Sequence, residues 1–131
     1  MDERMKKLRE EVKKGSVSAA YRLAEAFKWG YYGEQDARRA ARMYRICCRS
    51  KRKETASLGF YNLGVLYYHG YLSDTGESEE EKAYLCFLKS VLVHPTADAL
   101  LRLGDMYRYG QSVPQDEARA QGLYLMASRT A

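Results

Sequence analysis

The chain has 131 residues, 46% hydrophobic and 30% charged, with a net charge of +5 at neutral pH. That length suits one domain burying roughly two thirds of its unfolded surface, and the composition excludes a disordered chain. No apolar run reaches the ~18 residues a membrane-spanning helix needs, and the charged N-terminus MDERMKKLREEVKKG lacks the apolar core of a secretory signal. The charge is uneven. Residues 1–53 hold 16 Lys/Arg against 7 Asp/Glu, while residues 54–131 hold 6 against 10, a bias that suits an acidic partner for the N-terminal half. Cys47, Cys48 and Cys86 are odd in number and lack metal-ligand spacing, so they read as reduced thiols of a cytoplasmic protein.

Residues 2–14 read as a first helix, with Met5, Leu8 and Val12 on one face and charge elsewhere; the segment 1–15 is expected to cap the remainder of the chain. Beyond it the sequence repeats with a period of 40 residues. Leu23, Leu63 and Leu103 coincide, and so do Phe27, Tyr67 and Tyr107. A small residue stands four positions before each leucine (Ala19, Gly59, Ala99) and another directly after it (Ala24, Gly64, Gly104). Small, leucine and aromatic at steps of four share one helical face, which predicts helices near 17–29, 55–69 and 96–109. Gly30, Gly70 and Gly110 close them, as left-handed C-terminal caps do.

A second block comes after each glycine. Its members are Asp36, Ala40, Tyr44 and Cys47; then Glu79, Ala83, Phe87 and Ser90; then Asp116, Ala120, Tyr124 and Ala127. The shared offsets of 4, 8 and 11 predict helices near 36–49, 79–92 and 116–128. The leading acid is expected in the first turn, where the helix dipole favours it. Ser78 and Glu81 suit a capping box in the second unit, whose connection holds three extra residues within SDTGESEEE. Pro95 and Pro114 fall in connections, and nothing reads as a strand. The units are thus helix A, turn, helix B over about 16–51, 52–94 and 95–131, in a single domain 1–131. A lone helix pair cannot cover its apolar face, so stacking must supply the core.

The segments AAYRLAEAFKWG, GFYNLGVLYYHG and ALLRLGDMYRYG, each succeeded by its acid–alanine–aromatic block, resemble the SLR (Sel-one-like repeat) family, a relative of the tetratricopeptide repeat. The resemblance covers residues 17–128, and LGDMYRYGQSVPQDEARA carries the fullest set of landmarks. It implies an all-α, right-handed α-solenoid of three stacked A–B pairs behind the N-terminal cap. It also implies a non-catalytic adaptor that binds a partner protein or peptide in a concave groove walled by the A helices. Cys47 stands where the family usually has alanine. Both Cys47 and Cys86 fall on B helices, so the A-to-B disulfides of some secreted members are not expected.

On that resemblance the groove takes Tyr21, Arg22, Glu25, Lys28 and Trp29 from the first unit and Tyr61, Asn62, Tyr68 and His69 from the second. The third adds Arg102, Asp105, Arg108 and Tyr109. Aromatic residues with Arg and Asn are what binding hot spots favour, and Asn62 lies where related tetratricopeptide grooves clamp a peptide backbone. The cations among these residues suit a partner with acidic groups. An alternative surface is the stripe Arg38, Arg42, Arg45 and Arg49 on the first B helix, running into RSKRK, a footprint for nucleic acid or an acidic protein. No aromatics interleave with it as stacking platforms for bases.

Candidate chemistry is sparse. The two histidines, His69 and His94, have no Cys, His or Asp at ligand spacing, so no metal or cofactor is expected. Ser50 to Lys53 satisfies S-x-x-K, but K-T-G and the required strand are missing. No glycine-rich phosphate loop is present. At the far end Leu123, Leu125 and Met126 are expected to leave an apolar patch, which suits a monomer or a weak homodimer through the last helix.

Overall fold

The computed structural model describes residues 2–130; Met1 and Ala131, the ends of the expected domain, lie outside the described residues. Among the described residues the chain forms seven helices and no strand: α1 (Glu3–Lys13), α2 (Val17–Trp29), α3 (Ala37–Cys48), α4 (Lys53–Tyr68), α5 (Glu80–Val93), α6 (Ala97–Tyr109) and α7 (Glu117–Ser128). Each packs chiefly on the helices before and after it in sequence, the arrangement of a solenoid. The A helices are α2, α4 and α6; the B helices are α3, α5 and α7.

One device joins A to B in every unit. The backbone N–H of the recurrent acid donates to the carbonyl of the A-helix aromatic: Asp36 to Phe27 at 2.8 Å, Glu79 to Tyr67 at 2.9 Å and Asp116 to Tyr107 at 2.9 Å. The acid is therefore the N-cap residue, one position ahead of the first turn expected for it. Asp36 and Asp116 each accept from a backbone N–H three residues on, Arg39 and Arg119, at 3.0 Å. That leaves one fewer orphan donor at the helix start.

In the second unit the expected Ser78–Glu81 box does not form. Glu79 occupies the N-cap because its N–H is tied to Tyr67, and no side chain caps α5. Its buried Oε2, which has no hydrogen-bond partner, instead lies 3.2 Å from Lys82 Nζ as an ion pair.

The A helices end alike. Gly30, Gly70 and Gly110 adopt φ of 72°, 74° and 65°, left-handed values that glycine holds without strain. The next residue then donates back to the carbonyl five positions earlier: Tyr31 to Ala26, Tyr71 to Leu66 and Gln111 to Met106, at 3.0, 3.1 and 2.8 Å.

Small residues fix how closely the helices approach. A Cβ on Gly64 would sit 2.6 Å from the Phe87 ring, and one on Gly104 would sit 2.5 Å from the Tyr124 ring. At Gly59 the obstacle is backbone, with Cys48 N at 2.8 Å and Tyr44 O at 2.9 Å. Leu23, Leu63 and Leu103 are 2%, 5% and 2% exposed, so the three units bury equivalent side chains. Met5, Leu8, Leu23, Phe27, Tyr44 and Leu66 centre one cluster, and Val65, Phe87, Leu103 and Met106 a second. Tyr67 packs against both and makes the core continuous.

Of the aromatic anchors expected in the core, Phe27, Tyr44 and Phe87 are buried, whereas Tyr67, Tyr107 and Tyr124 are only half-buried. Their hydroxyls need polar partners near the surface. Tyr67 accepts from Arg45 at 3.2 Å, Tyr107 meets the Tyr84 hydroxyl at 2.8 Å, and Tyr124 donates to Asp105 at 2.5 Å.

The Tyr124–Asp105 bond has a counterpart in the first unit, where Tyr44 donates to Glu25 at 2.5 Å. The second unit has Phe87 and Val65 at these positions, so phenol and acid are exchanged together for an apolar pair. Burial and the Glu25 carboxylate push the Tyr44 phenol upward.

Tyr44→Phe is expected to lower stability by about 1–3 kcal/mol, because the half-buried Glu25 loses one of its two side-chain donors, the other being Trp29. Adding Glu25→Val, which copies the second unit, should recover most of that loss in urea unfolding; simple additivity would contradict the pairing. Gly59→Ala is expected to cost about 1–3 kcal/mol, since backbone cannot yield to the added methyl as a side chain would.

Candidate binding groove

Two contacts show that α2, α4 and α6 share one wall. Lys28 Nζ on α2 reaches Asn62 Oδ1 on α4 at 3.5 Å. The Arg102 guanidinium on α6 lies 5.8 Å from the centre of the Tyr68 ring on α4. Residues 28, 62, 68 and 102 meet because the 40-residue repeat brings the same helical face round in each unit.

The residues expected in the groove fall into three places. Tyr21, Arg22 and Glu25 turn toward the cap helix and, with Arg4, Lys7 and Tyr32 among others, line a hollow of about 500 Å³. Lys28, Trp29, Tyr61, His69 and Arg102 come together around a second hollow of about 530 Å³. Asp105, Arg108 and Tyr109 lie apart at the far end, with Asp105 held by Tyr124 and Arg108 lying 5.5 Å from the centre of the Tyr109 ring.

Tyr68 is tied down by Gln111, whose Nε2 donates to the phenol at 3.0 Å. Asn62 is 6% exposed, and its amide is spent inside: Nδ2 donates to the Leu58 carbonyl at 2.9 Å while Oδ1 faces Lys28. In this structure Asn62 positions Lys28.

The central hollow also holds Gln35, Ala37, Val65, Leu66 and Tyr71, of which Gln35, Ala37, Leu66 and Tyr71 were not expected from the sequence. Tyr71 comes directly after the cap glycine of its unit, as Tyr31, a lining residue of the other hollow, comes after Gly30. The recurring position after the glycine was the signal available in the sequence. The left-handed turn swings that side chain onto the A-helix wall, where the Tyr71 ring centre lies 5.6 Å from that of His69, the two rings tilted by 33°.

The lining of the central hollow contains Lys28, His69 and Arg102 but no carboxylate. Among the described residues none of these three forms an ion pair within 4 Å. Burial lowers the Lys28 pKa and the charge of Arg102 lowers it further, against the opposing pull of Glu25. Partial burial also lowers His69, although the residue is exposed, and Arg102 and Lys28 add their repulsion. Glu25 is already engaged: it accepts from Tyr44 and, at 3.1 Å, from the indole N–H of Trp29. The hollow is therefore a cationic site among aromatic rings, with no anion in its lining.

On the opposite side, Arg38, Arg42 and Arg45 of the stripe line a third hollow of about 340 Å³ with Lys82, Glu79 and Tyr67, while Arg49 is not part of it. Of the four stripe arginines Arg38 alone has an acidic partner within 4 Å among the described residues, and two neighbouring cations are paired as well. Arg38 pairs at 2.7 Å with Asp74 from the longer connection of the second unit, Arg39 pairs with Asp36 at 3.3 Å, and Lys82 pairs with Glu79. The two arginine pairs are exposed and add little stability.

Burial raises all three thiols, Cys47 to about 11 and Cys48 to about 12, so none offers a thiolate nucleophile near neutral pH. Ser50 Oγ accepts from the backbone N–H of Arg52 in a turn at 3.1 Å. No group of three metal-ligating side chains occurs among the described residues. No helix among them is long and apolar enough to cross a membrane.

Three helix pairs with one face of each A helix aligned on a common wall define a helical-repeat solenoid. The Sel1 repeat model matches residues 17–49, 61–91 and 97–129, and the chain belongs to that family. It is similar in fold to a protective antigen of uropathogenic Escherichia coli strains displaying an SLR fold, with a TM-score of 0.78 and 21% identity. That match covers 95% of this chain and 25% of the antigen. A Sel1 repeat protein from Oxalobacter formigenes gives a TM-score of 0.75 at 19% identity, over 95% of this chain and 48% of that one. The chain thus spans about a quarter and about half of these two structures. No curated protein matches it.

His69 should titrate below the ordinary histidine value of ~6.5, and Arg102→Gln should move its midpoint upward in an NMR titration. Because the unfolded imidazole takes its proton at higher pH, this group favours the fold above ~6.5, and the benefit is lost as pH falls toward the folded midpoint. A midpoint at the ordinary value that ignores Arg102→Gln would contradict the cationic cluster.

Proposed function

We propose that the chain is a binding adaptor that holds a segment of a partner protein along the wall of α2, α4 and α6. Sel1 repeats are generally protein-interaction modules and non-catalytic scaffolds, and this wall supplies a surface of the right kind. The observation that carries the reading is the exposure of large apolar side chains there. Trp29, Leu101 and Tyr109 are 54%, 44% and 64% exposed, and Tyr71 is 59% exposed beside the central hollow. Exposed aromatic rings grouped with arginine are the usual anchors of an interface, and an extended solenoid wall suits an elongated partner.

The arginine stripe is the competing surface for nucleic acid or an acidic protein. It ranks second because Arg38 already pairs with Asp74 and no exposed large apolar side chain lines its hollow.

Affinity capture from cell extract with the immobilised chain separates the two. Trp29→Ala with Tyr71→Ala, both exposed rings, should abolish retention of the specific partner and leave the circular-dichroism spectrum unchanged. Arg38→Glu with Arg42→Glu and Arg45→Glu should retain it. The reverse pattern, with binding that falls steeply as salt rises, would move the function to the stripe.

A further inference from the structure

The central hollow places two cations and an imidazole from three successive units among Trp29, Tyr61 and Tyr71. Like charges gathered on a partly dry surface repel, and no acid in the lining pairs with them: Lys28 is bonded to the neutral Asn62, and Arg102 rests on the Tyr68 ring. Glu25 is the acid whose field reaches Lys28, and it is occupied by Tyr44 and Trp29. Lys28 and Arg102 less Glu25 leave one net positive charge, while His69 is neutral at neutral pH. The match is a single negative charge beside an apolar group. The half-buried Lys28 and Arg102 hold their heads where an incoming anion is only partly screened by water.

We infer that this hollow takes an Asp or Glu side chain of the partner segment, set next to an aromatic or aliphatic residue. Lys28 and Arg102 meet the carboxylate, and Trp29, Tyr61 and Tyr71 cover its apolar neighbour. The inference rests on the groove reading and adds the chemistry of what the groove selects. A charge-assisted bond from arginine supplies affinity and fixes register, and the rings supply the anchor. His69 adds a further donor when the bound carboxylate draws a proton onto it.

The test is selection of a randomised heptapeptide library on the full chain, then fluorescence anisotropy of the selected peptides after resynthesis. Enriched sequences should carry Asp or Glu beside a large apolar residue. Changing that acid to its amide should weaken binding about tenfold or more. Arg102→Gln should weaken the acidic peptide by a similar factor and leave the amide peptide unaffected. The acidic peptide should also raise the His69 midpoint, a response that mere loss of packing would not produce.

Peptides that bind at Trp29 and Tyr61 equally well as acid and amide would overturn the inference and leave the groove reading standing. So would a phosphoserine peptide that binds more tightly than its glutamate counterpart. No enrichment, or peptides that map away from the A-helix wall, would overturn both.

Discussion

The architecture depends on one contact repeated along the chain: a small residue on each A helix against a large ring on its B helix. Gly64 faces Phe87 and Gly104 faces Tyr124 with no room for a methyl group, and Ala24 and Tyr44 hold the matching positions in the first unit. The small residue sets the spacing, and the ring fills what the spacing leaves. Because the leucine beside it is buried in all three units, each pair presents the same faces to its neighbours. The outward face of the A helices then recurs in register. A binding wall arises from the packing without any separate device.

The connections keep that register. The acid at the start of each B helix bonds to the carbonyl of the A-helix aromatic, so the entry to helix B is fixed whatever the loop length. The second unit shows this well. Its three extra residues leave the Glu79–Tyr67 bond intact, and the added loop folds outward so that Asp74 reaches Arg38. Length has been absorbed on the surface, where it is tolerated.

The anchors made the helices legible. Leucine, aromatic and glycine at fixed offsets marked each A helix, and the acid–alanine–aromatic block marked each B helix, because packing at 3.6 residues per turn leaves few alternatives. The cap of α5 misled, since Ser78 and Glu81 have suitable identities but backbone pairing at Glu79 sets the start. Glu25 and Asp105 looked like groove residues by position. They stand where the wall meets the A–B seam, and each turns to a tyrosine. The paired exchange to Val65 and Phe87 was the sequence trace of that bond. Tyr71 was missed for a different reason: a left-handed turn redirects the chain, and helical periodicity carries no information past such a turn.

The cationic hollow is a consequence of this alignment, since Lys28, His69 and Arg102 come from three units and meet only if α2, α4 and α6 lie side by side. Side-chain nuclear Overhauser measurements in solution test that alignment most directly. Cross-peaks should join the Lys28 side chain to the Asn62 amide and the Arg102 side chain to the Tyr68 ring. If both are absent while contacts within each helix pair persist, the pairs form but do not share a wall, and the account fails.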